Sequence, residues 1–162
     1  MGAQNIYNFS TPIGQPGGIY DLAPYAVDSF TNESADGAVK FGMGVVQGTI
    51  PGKQVAVPDS DATAAVFEGI VTNRRAIENS LDGGVVVKSG ATLGVMRYGR
   101  IFGLLAEGAD PAYGDAVYMV VDGADAGCFT ESATDTVAIK ARFLSAASDG
   151  IAIIELFNEA QA

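Results

Sequence analysis

The side chains that most often perform catalysis are scarce in this sequence of 162 residues. Histidine, the commonest general base and metal ligand, is absent, which excludes a Ser-His-Asp triad. The single cysteine, Cys128, lies in a Gly-rich stretch with no recognisable base beside it, so nucleophilic catalysis is disfavoured. The sequence therefore predicts no catalytic residue and indicates that the protein is not an enzyme.

The glycine-bearing and acidic stretches do not match known ligand-binding motifs. A Walker-type phosphate loop fails because the Gly-Lys pair at 52–53 is followed by Gln54, and Gln47 stands where a dinucleotide fingerprint needs its third glycine. The acidic runs at 59–63 and 122–125 lack the spacing of a helix-loop-helix calcium site, and we interpret them as solvated turns. We expect no cofactor, no metal site and no small-molecule substrate.

Positive charge is concentrated in a small set of arginines. Arginine is over-represented in protein interfaces, so these side chains are candidate charged anchors for an acidic partner surface. The alternative, which is the more frequent case, is that they are solvated or paired within the chain. The set comprises Arg74, Arg75, Arg97 and Arg100.

Composition limits the class of protein and of partner. With 48% hydrophobic and 17% charged residues, the chain is long enough for one domain with its own core. Nine Lys and Arg oppose 19 Asp and Glu, so the net charge of -10 disfavours nucleic-acid binding. The apolar runs are shorter than the roughly 18 residues of a membrane-spanning helix, and the first residues do not resemble a signal peptide. One cysteine cannot form an intramolecular disulfide, which indicates synthesis in a reducing cytoplasm.

Short apolar runs separated by glycine predict strands joined by tight turns. Residues 137–143 alternate apolar and charged side chains, and residues 151–157 are apolar on both faces apart from one glutamate. We therefore expect a closing hairpin whose second strand is central in its sheet. An earlier hairpin is expected from residues 38–49 and 53–57. The predicted fold is all-β: a compact antiparallel β-barrel or sandwich, jelly-roll-like, with at most one short helix, at residues 72–81. Further strands are expected at 65–71, 85–88, 92–106 and 115–121.

The N-terminal quarter has a different pattern, and we predict an extended arm at residues 1–36 followed by a single β domain at 37–162. Between residues 9 and 30, three prolines exclude a regular helix, and several large apolar side chains argue against a solvated linker. The arm is therefore expected to bury apolar groups, either against a partner chain or against its own domain. The candidate interface residues are Ile6, Tyr7, Phe9, Pro12, Ile13, Ile19, Tyr20, Leu22 and Tyr25.

Six stretches, taken in order, resemble the cement or decoration proteins that coat the heads of tailed bacteriophages. They are GIYDLAPY, KFGMGVVQGTIPGKQVAVP, FEGIV, LGVMRYGRIFGL, YGDAVYMV and the ending ARFLSAASDGIAIIEL. No single stretch is a strong motif, so the resemblance depends on their order and spacing across nearly the whole chain. Residues 72–87 depart from the pattern.

The resemblance implies a non-enzymatic virion protein that binds the outer surface of an icosahedral head. It would act as a homodimer or homotrimer, bridge neighbouring subunits of the major capsid protein and so stabilise the shell. An alternative is a receptor- or glycan-binding domain of a virion fibre or surface protein, which predicts exposed aromatic side chains on the loops. A β-barrel enzyme is the weakest alternative, since it needs a pocket of convergent carboxylates with perturbed pKa values.

Overall fold

The computed structural model describes residues 14–73, 78–79 and 85–158, and within these ranges the chain is all-β, as predicted. The helical content of the described ranges is one 3-10 turn at Ala64–Val66, and none of their helices is long and apolar enough to cross a membrane. The strands are β1 (Ala26–Asn32), β2 (Gly44–Gln47), β3 (Gln54–Ala56), β4 (Phe67–Val71), β5 (Glu78–Asn79), β6 (Val85–Val86), β7 (Thr92–Leu104), β8 (Ala116–Val120), β9 (Phe129–Thr130), β10 (Thr136–Phe143) and β11 (Ile151–Leu156).

Five strands close a small barrel. The order β1-β3-β2-β4-β7 returns to its start because β1 pairs with both β3 and β7. Pairing is antiparallel except between β1 and β3, which run parallel. Period-2 alternation sends every second side chain of each strand inward. The resulting core contains Phe30, Val45, Val55, Val71, Leu93 and Val95.

Strand β7 has 13 residues and continues beyond this first barrel into a second group of strands. The order there is β7-β11-β10-β8-β9, and an isolated bridge between Leu105 and Phe129 brings β9 back to the end of β7. The second group therefore curls into a barrel that shares β7 with the first. Its core includes Ile101, Met119, Phe129, Phe143 and Ile154.

Both predicted hairpins are confirmed. β2 pairs with β3, and β10 pairs with β11, each antiparallel. β11 lies between β7 and β10 with its side chains mostly buried, which explains its apolar character on both faces. The order and pairing of these strands place β7 at the centre of the fold.

The predicted helix at 72–81 is wrong at residues 78–79, which form β5 and pair with β6. Residues 74–77, 80 and 81 lie outside the described residues. A helix this short is marginal on its own, so cross-strand pairing can override local propensity. Strand β1 also lies inside the range predicted as an arm, because its backbone pairs with β3 and β7. Among the described residues, the extended segment before the first strand is therefore 14–25.

Candidate interaction surface

Residues 14–25, which we call the docked arm, lie along β7 of their own chain. The Gly17 N–H donates to the Phe102 carbonyl at 2.8 Å, and the Phe102 N–H donates to the Gly18 carbonyl at 2.9 Å. Ile19 bridges to Ile101, which on its other side pairs with Ile154 of β11. The docked arm thus occupies the edge of β7 that β11 leaves open. For these residues, the sequence left two alternatives open, and the structure shows contact with their own domain.

Gly17 allows this close approach. Its φ is 75°, in the left-handed region, and a Cβ at this position would lie 2.7 Å from both the Asn73 nitrogen and the Val71 carbonyl oxygen. The Asn73 N–H donates to the Gly17 carbonyl at 2.7 Å. A side chain at position 17 would therefore strain the backbone and collide with atoms that cannot easily move.

Although its backbone is docked, the arm exposes large apolar side chains to solvent. Leu22 is 97% exposed, and Ile19, Tyr20 and Tyr25 are all more than 40% exposed. The Tyr20 ring rests edge-on against Phe102, with ring centroids 5.7 Å apart. These four candidates from the sequence are therefore exposed large apolar side chains of the docked arm, and we call them together the apolar row. The other five, Ile6, Tyr7, Phe9, Pro12 and Ile13, lie outside the described residues.

A ladder of charges crosses three strands beside the docked arm. Glu155 is in register with Arg142 on β10 and with Arg100 on β7. Its Oε2 lies 2.6 Å from Arg142 Nε, and its Oε1 lies 3.0 Å from Arg100 Nε. Arg100 Nη1 also lies 2.7 Å from Asp21 Oδ2. Arg100 thereby links the docked arm to the sheet.

This ladder shifts the pKa values of its carboxylates. The hydrogen bond from Arg100 lowers the pKa of Asp21 below its usual range. Burial raises the pKa of Glu155, but the hydrogen bonds from Arg142 and Arg100 together outweigh it and lower this pKa. The hydrogen bond to Asp21, followed by that to Glu155, raises the pKa of Arg100. Asp21, Glu155 and Arg100 are therefore charged at neutral pH.

Two of the four arginines predicted as anchors are paired within the chain. Arg100 belongs to the ladder, and Arg97 Nη1 lies 2.8 Å from Glu68 Oε2 and 4.0 Å from Asp28 Oδ2. Both side chains remain partly exposed. Arg74 and Arg75 lie outside the described residues.

Two adjoining cavities form a groove between the barrels, which we call the inter-barrel groove. Their volumes are about 500 and 540 Å³, and Tyr98, Leu156, Phe157 and Asn158 line both. The first cavity has β10 on one side and the 3-10 turn, β1, β4 and β7 on the other. The second reaches the docked arm at Ala23 and Pro24. No pattern in the sequence indicated this groove, because it depends on how two barrels meet.

The residues that could do chemistry do not converge. Burial, followed by the nearby Asp125 charge, raises the pKa of the Cys128 thiol to about 11, so it is protonated at neutral pH. Within the described ranges, no three potential metal-ligating side chains are grouped so that they could hold an ion. The features that the geometry brings together are an apolar row, a charge ladder and a groove, which are features of a protein-binding surface.

Residues 3–157 match the family model described as structural cement protein (E217 gp24/Pam3 gp6). The chain belongs to the phage structural cement protein family. The match confirms the resemblance that the order of the six stretches indicated. As a member of this family, the chain is a structural protein of the phage capsid.

A solved structure, "The capsid of Myoviridae Phage XM1", contains a chain of the same fold as this cement protein. The two are 19% identical, with a TM-score of 0.74, and the match covers 96% of this chain and 98% of the other. At this identity the likeness concerns the fold alone. No curated protein sequence matches the cement protein.

Proposed function

We propose that this cement protein decorates the outer surface of an icosahedral phage head and bridges neighbouring subunits of the major capsid protein. It acts as a homodimer or homotrimer, without catalysis and without a cofactor. It is made in the cytoplasm of the host bacterium and then joins the virion. The chain belongs to the cement family. The observation that carries this proposal is its exposed apolar row, in which Leu22 is 97% exposed.

The mechanism is thermodynamic linkage. A protein that binds the assembled shell, and not its separated subunits, stabilises the shell by mass action. A standard interface buries about 1,600 Å² in total, and an oligomer that contacts several subunits gains avidity of about 100-fold or more over one contact. Bridges of this kind oppose the separation of capsid subunits under internal pressure.

The apolar row supplies side chains that can be substituted with little effect on the stability of the free protein. Complete burial of an exposed leucine is worth about 1.5–3 kcal/mol relative to exposure. Leu22 makes so little contact with its own chain that substituting it should leave the fold intact. A loss of shell binding on substitution would therefore report on the interface.

The test is co-sedimentation of the purified protein with expanded capsids that lack it. We expect Leu22→Asp to weaken binding by at least ~10-fold, which corresponds to about 1.4 kcal/mol. The matched control is Ile50→Asp, since Ile50 is a large aliphatic residue on the β2–β3 turn that is 49% exposed. Absence of co-sedimentation by the unaltered protein would overturn the proposal. Equal binding by both variants would show that the apolar row is not the surface that binds the capsid.

A further inference from the structure

An aspartate followed by glycine is a place where the backbone can isomerise, because glycine has no side chain to shield the nitrogen that reacts. The chain has such pairs at residues 36–37, 82–83, 122–123 and 149–150. Residues 82–83 lie outside the described residues. The three described pairs differ in what the nitrogen and the carboxylate contact, so their reactivity should differ.

At Asp122 and Gly123 the two reacting groups face each other. The Gly123 N–H donates to Oδ1 of Asp122, the carboxylate of the preceding residue, at 2.8 Å. Because Oδ1 is bonded to Cγ, this contact places the backbone nitrogen beside the carbon that it would attack. Groups held next to each other in this way react as if they were at very high concentration.

The surroundings of this pair leave room for the reaction. Asp122, Gly123 and Ala124 are all exposed, in the connection between β8 and β9. A Cβ added to Gly123, whose φ is 81°, would meet nothing within 4 Å apart from its chain neighbours. Solvent therefore reaches both reacting groups, and a ring can form without displacing another part of the protein.

At Asp36 and Gly37 both groups are engaged elsewhere. The Gly37 N–H donates to the Val87 carbonyl at 2.9 Å. Oδ1 of Asp36 accepts a hydrogen bond from the Ser89 N–H at 2.8 Å. Attack at this pair must break both contacts first, so the folded structure protects it.

The pair at Asp149 and Gly150 is held by a hairpin turn. The Ser148 N–H donates to the Ile151 carbonyl at 2.9 Å, and the Ile151 N–H donates to the Ser148 carbonyl at 3.1 Å. The φ of Asp149 is 52°, in the left-handed region. The Leu105 N–H also donates to the Gly150 carbonyl at 2.9 Å. Ring closure at this pair competes with the bonds that hold the turn.

We propose that Asp122 is a site of spontaneous isomerisation of the backbone in the folded protein. The Gly123 nitrogen gives up its proton to water and attacks Cγ of Asp122, and one carboxyl oxygen leaves as water, which forms a cyclic imide. Water then adds to either carbonyl of the ring. Cleavage of the Cγ–N bond restores aspartate. Cleavage of the bond between the nitrogen and the Asp122 carbonyl carbon leaves the chain running through the side chain, as isoaspartate, with composition and charge unchanged.

Isoaspartate lengthens the main chain by one carbon near contacts between the two barrels. Asp125 Oδ2 accepts a hydrogen bond from the Glu107 N–H at 3.0 Å, and the Gly127 carbonyl accepts one from the Gly44 N–H at 2.7 Å. Since the added carbon lies at an exposed position before these residues, we expect the contacts to weaken without loss of the fold. Proteins of a released virion are not replaced, so the modified form would accumulate with age.

Mass spectrometry of tryptic peptides tests the assignment, because each Asp-Gly pair lies in a different peptide. The peptide between Arg100 and Lys140 contains only the pair 122–123, and the peptide that ends at Lys40 contains only the pair 36–37. The purified full-length protein is incubated at mildly acidic pH below its unfolding temperature, and electron-transfer fragmentation distinguishes isoaspartate from aspartate. We expect isoaspartate to form at least ~10-fold faster at Asp122 than at Asp36. Equal rates in the folded protein would overturn the proposal.

The unfolded protein is the matched control, because the same residue follows each aspartate. In urea, the rates at Asp122 and Asp36 should agree within about threefold. A preference for Asp122 that persists unchanged in urea would show that local sequence controls the reaction, and it would overturn the argument from the folded geometry.

Asp122→Glu is a second test that keeps the charge. The longer side chain would have to close a larger ring, which forms far less readily, so the isomer should disappear from the peptide between Arg100 and Lys140. Its persistence there would place the reaction at another residue and refute the site. Capsid co-sedimentation by freshly purified protein does not depend on either result, so this inference and the proposed function fail separately.

Discussion

Replacing Gly17 with alanine should release the docked arm from β7. Alanine in the left-handed region costs about 1–2 kcal/mol, and forcing a methyl group into a packed site costs a further ~1–3 kcal/mol. Among the described residues, four backbone hydrogen bonds hold the docked arm: three join it to Phe102 and Arg100 and one comes from Asn73, each worth about 1 kcal/mol net. The free-energy cost of the substitution is a large part of the free energy that these hydrogen bonds contribute. The form in which the arm is detached from β7 should therefore become well populated.

Amide hydrogen exchange measures this opening directly. The Phe102 N–H donates to Gly18 of the docked arm, so its protection depends on attachment of the arm. A loss of about 2 kcal/mol corresponds to a fall in protection of roughly 30-fold. Gly52→Ala is a matched control, because Gly52 has a φ of 72° and no atom within 4 Å of an added Cβ. It carries the backbone strain without the collision.

The outcome that refutes this reasoning is specific. If Phe102 protection in Gly17→Ala stays within about threefold of that in Gly52→Ala, the collision with Asn73 and Val71 does not control docking. In that case the docked arm would be held mainly by its side chains and by the pair between Asp21 and Arg100.

The remaining predictions concern charge and burial. Because the folded pKa of Asp21 is depressed, its pair with Arg100 stabilises the docked arm fully above the unfolded pKa of about 4. This contribution is lost as pH falls through the folded pKa; carboxyl NMR should show it, and Arg100→Gln should return the Asp21 pKa toward its ordinary value. Glu155→Gln should lower the melting temperature by about 2–4 °C in low salt, since two partly exposed ion pairs are worth about 1 kcal/mol, and calorimetry in 1 M salt should show a smaller difference. Cys128 should not react with Ellman's reagent at pH 8 until the protein unfolds, because its thiol is buried with a pKa of about 11; rapid reaction in the folded state would contradict this.

Much of the sheet could be predicted because local patterns report burial. The alternation in residues 137–143 and the apolar run at 151–157 predicted the β10–β11 hairpin and the central place of β11. Glu155 entered the sequence analysis only as the exception in this apolar run, although a charge inside an otherwise buried strand needs a partner. The structure supplies Arg142 and Arg100, one on each neighbouring strand.

Contacts between distant parts of the chain were not predictable in the same way. The parallel pairing of β1 with β3 and the close approach of Gly17 to Asn73 depend on residues far apart in sequence. Composition suggested an extended arm that continues to residue 36, but Phe30 and Asn32 are buried and belong to β1. Propensity describes single segments, whereas register and the meeting of two barrels depend on the whole fold.

Strand β7, which both barrels share, also affects how the protein comes apart. Its first residues hold β1 and β4, and its last residues hold β11 and the docked arm. Neither barrel can lose β7 without opening the other, so unfolding should be a single cooperative transition rather than two. Pairings such as Phe30 with Leu93 span long stretches of chain, and folds dominated by such contacts form slowly. The time for which one copy stays folded is then set by the whole two-barrel unit.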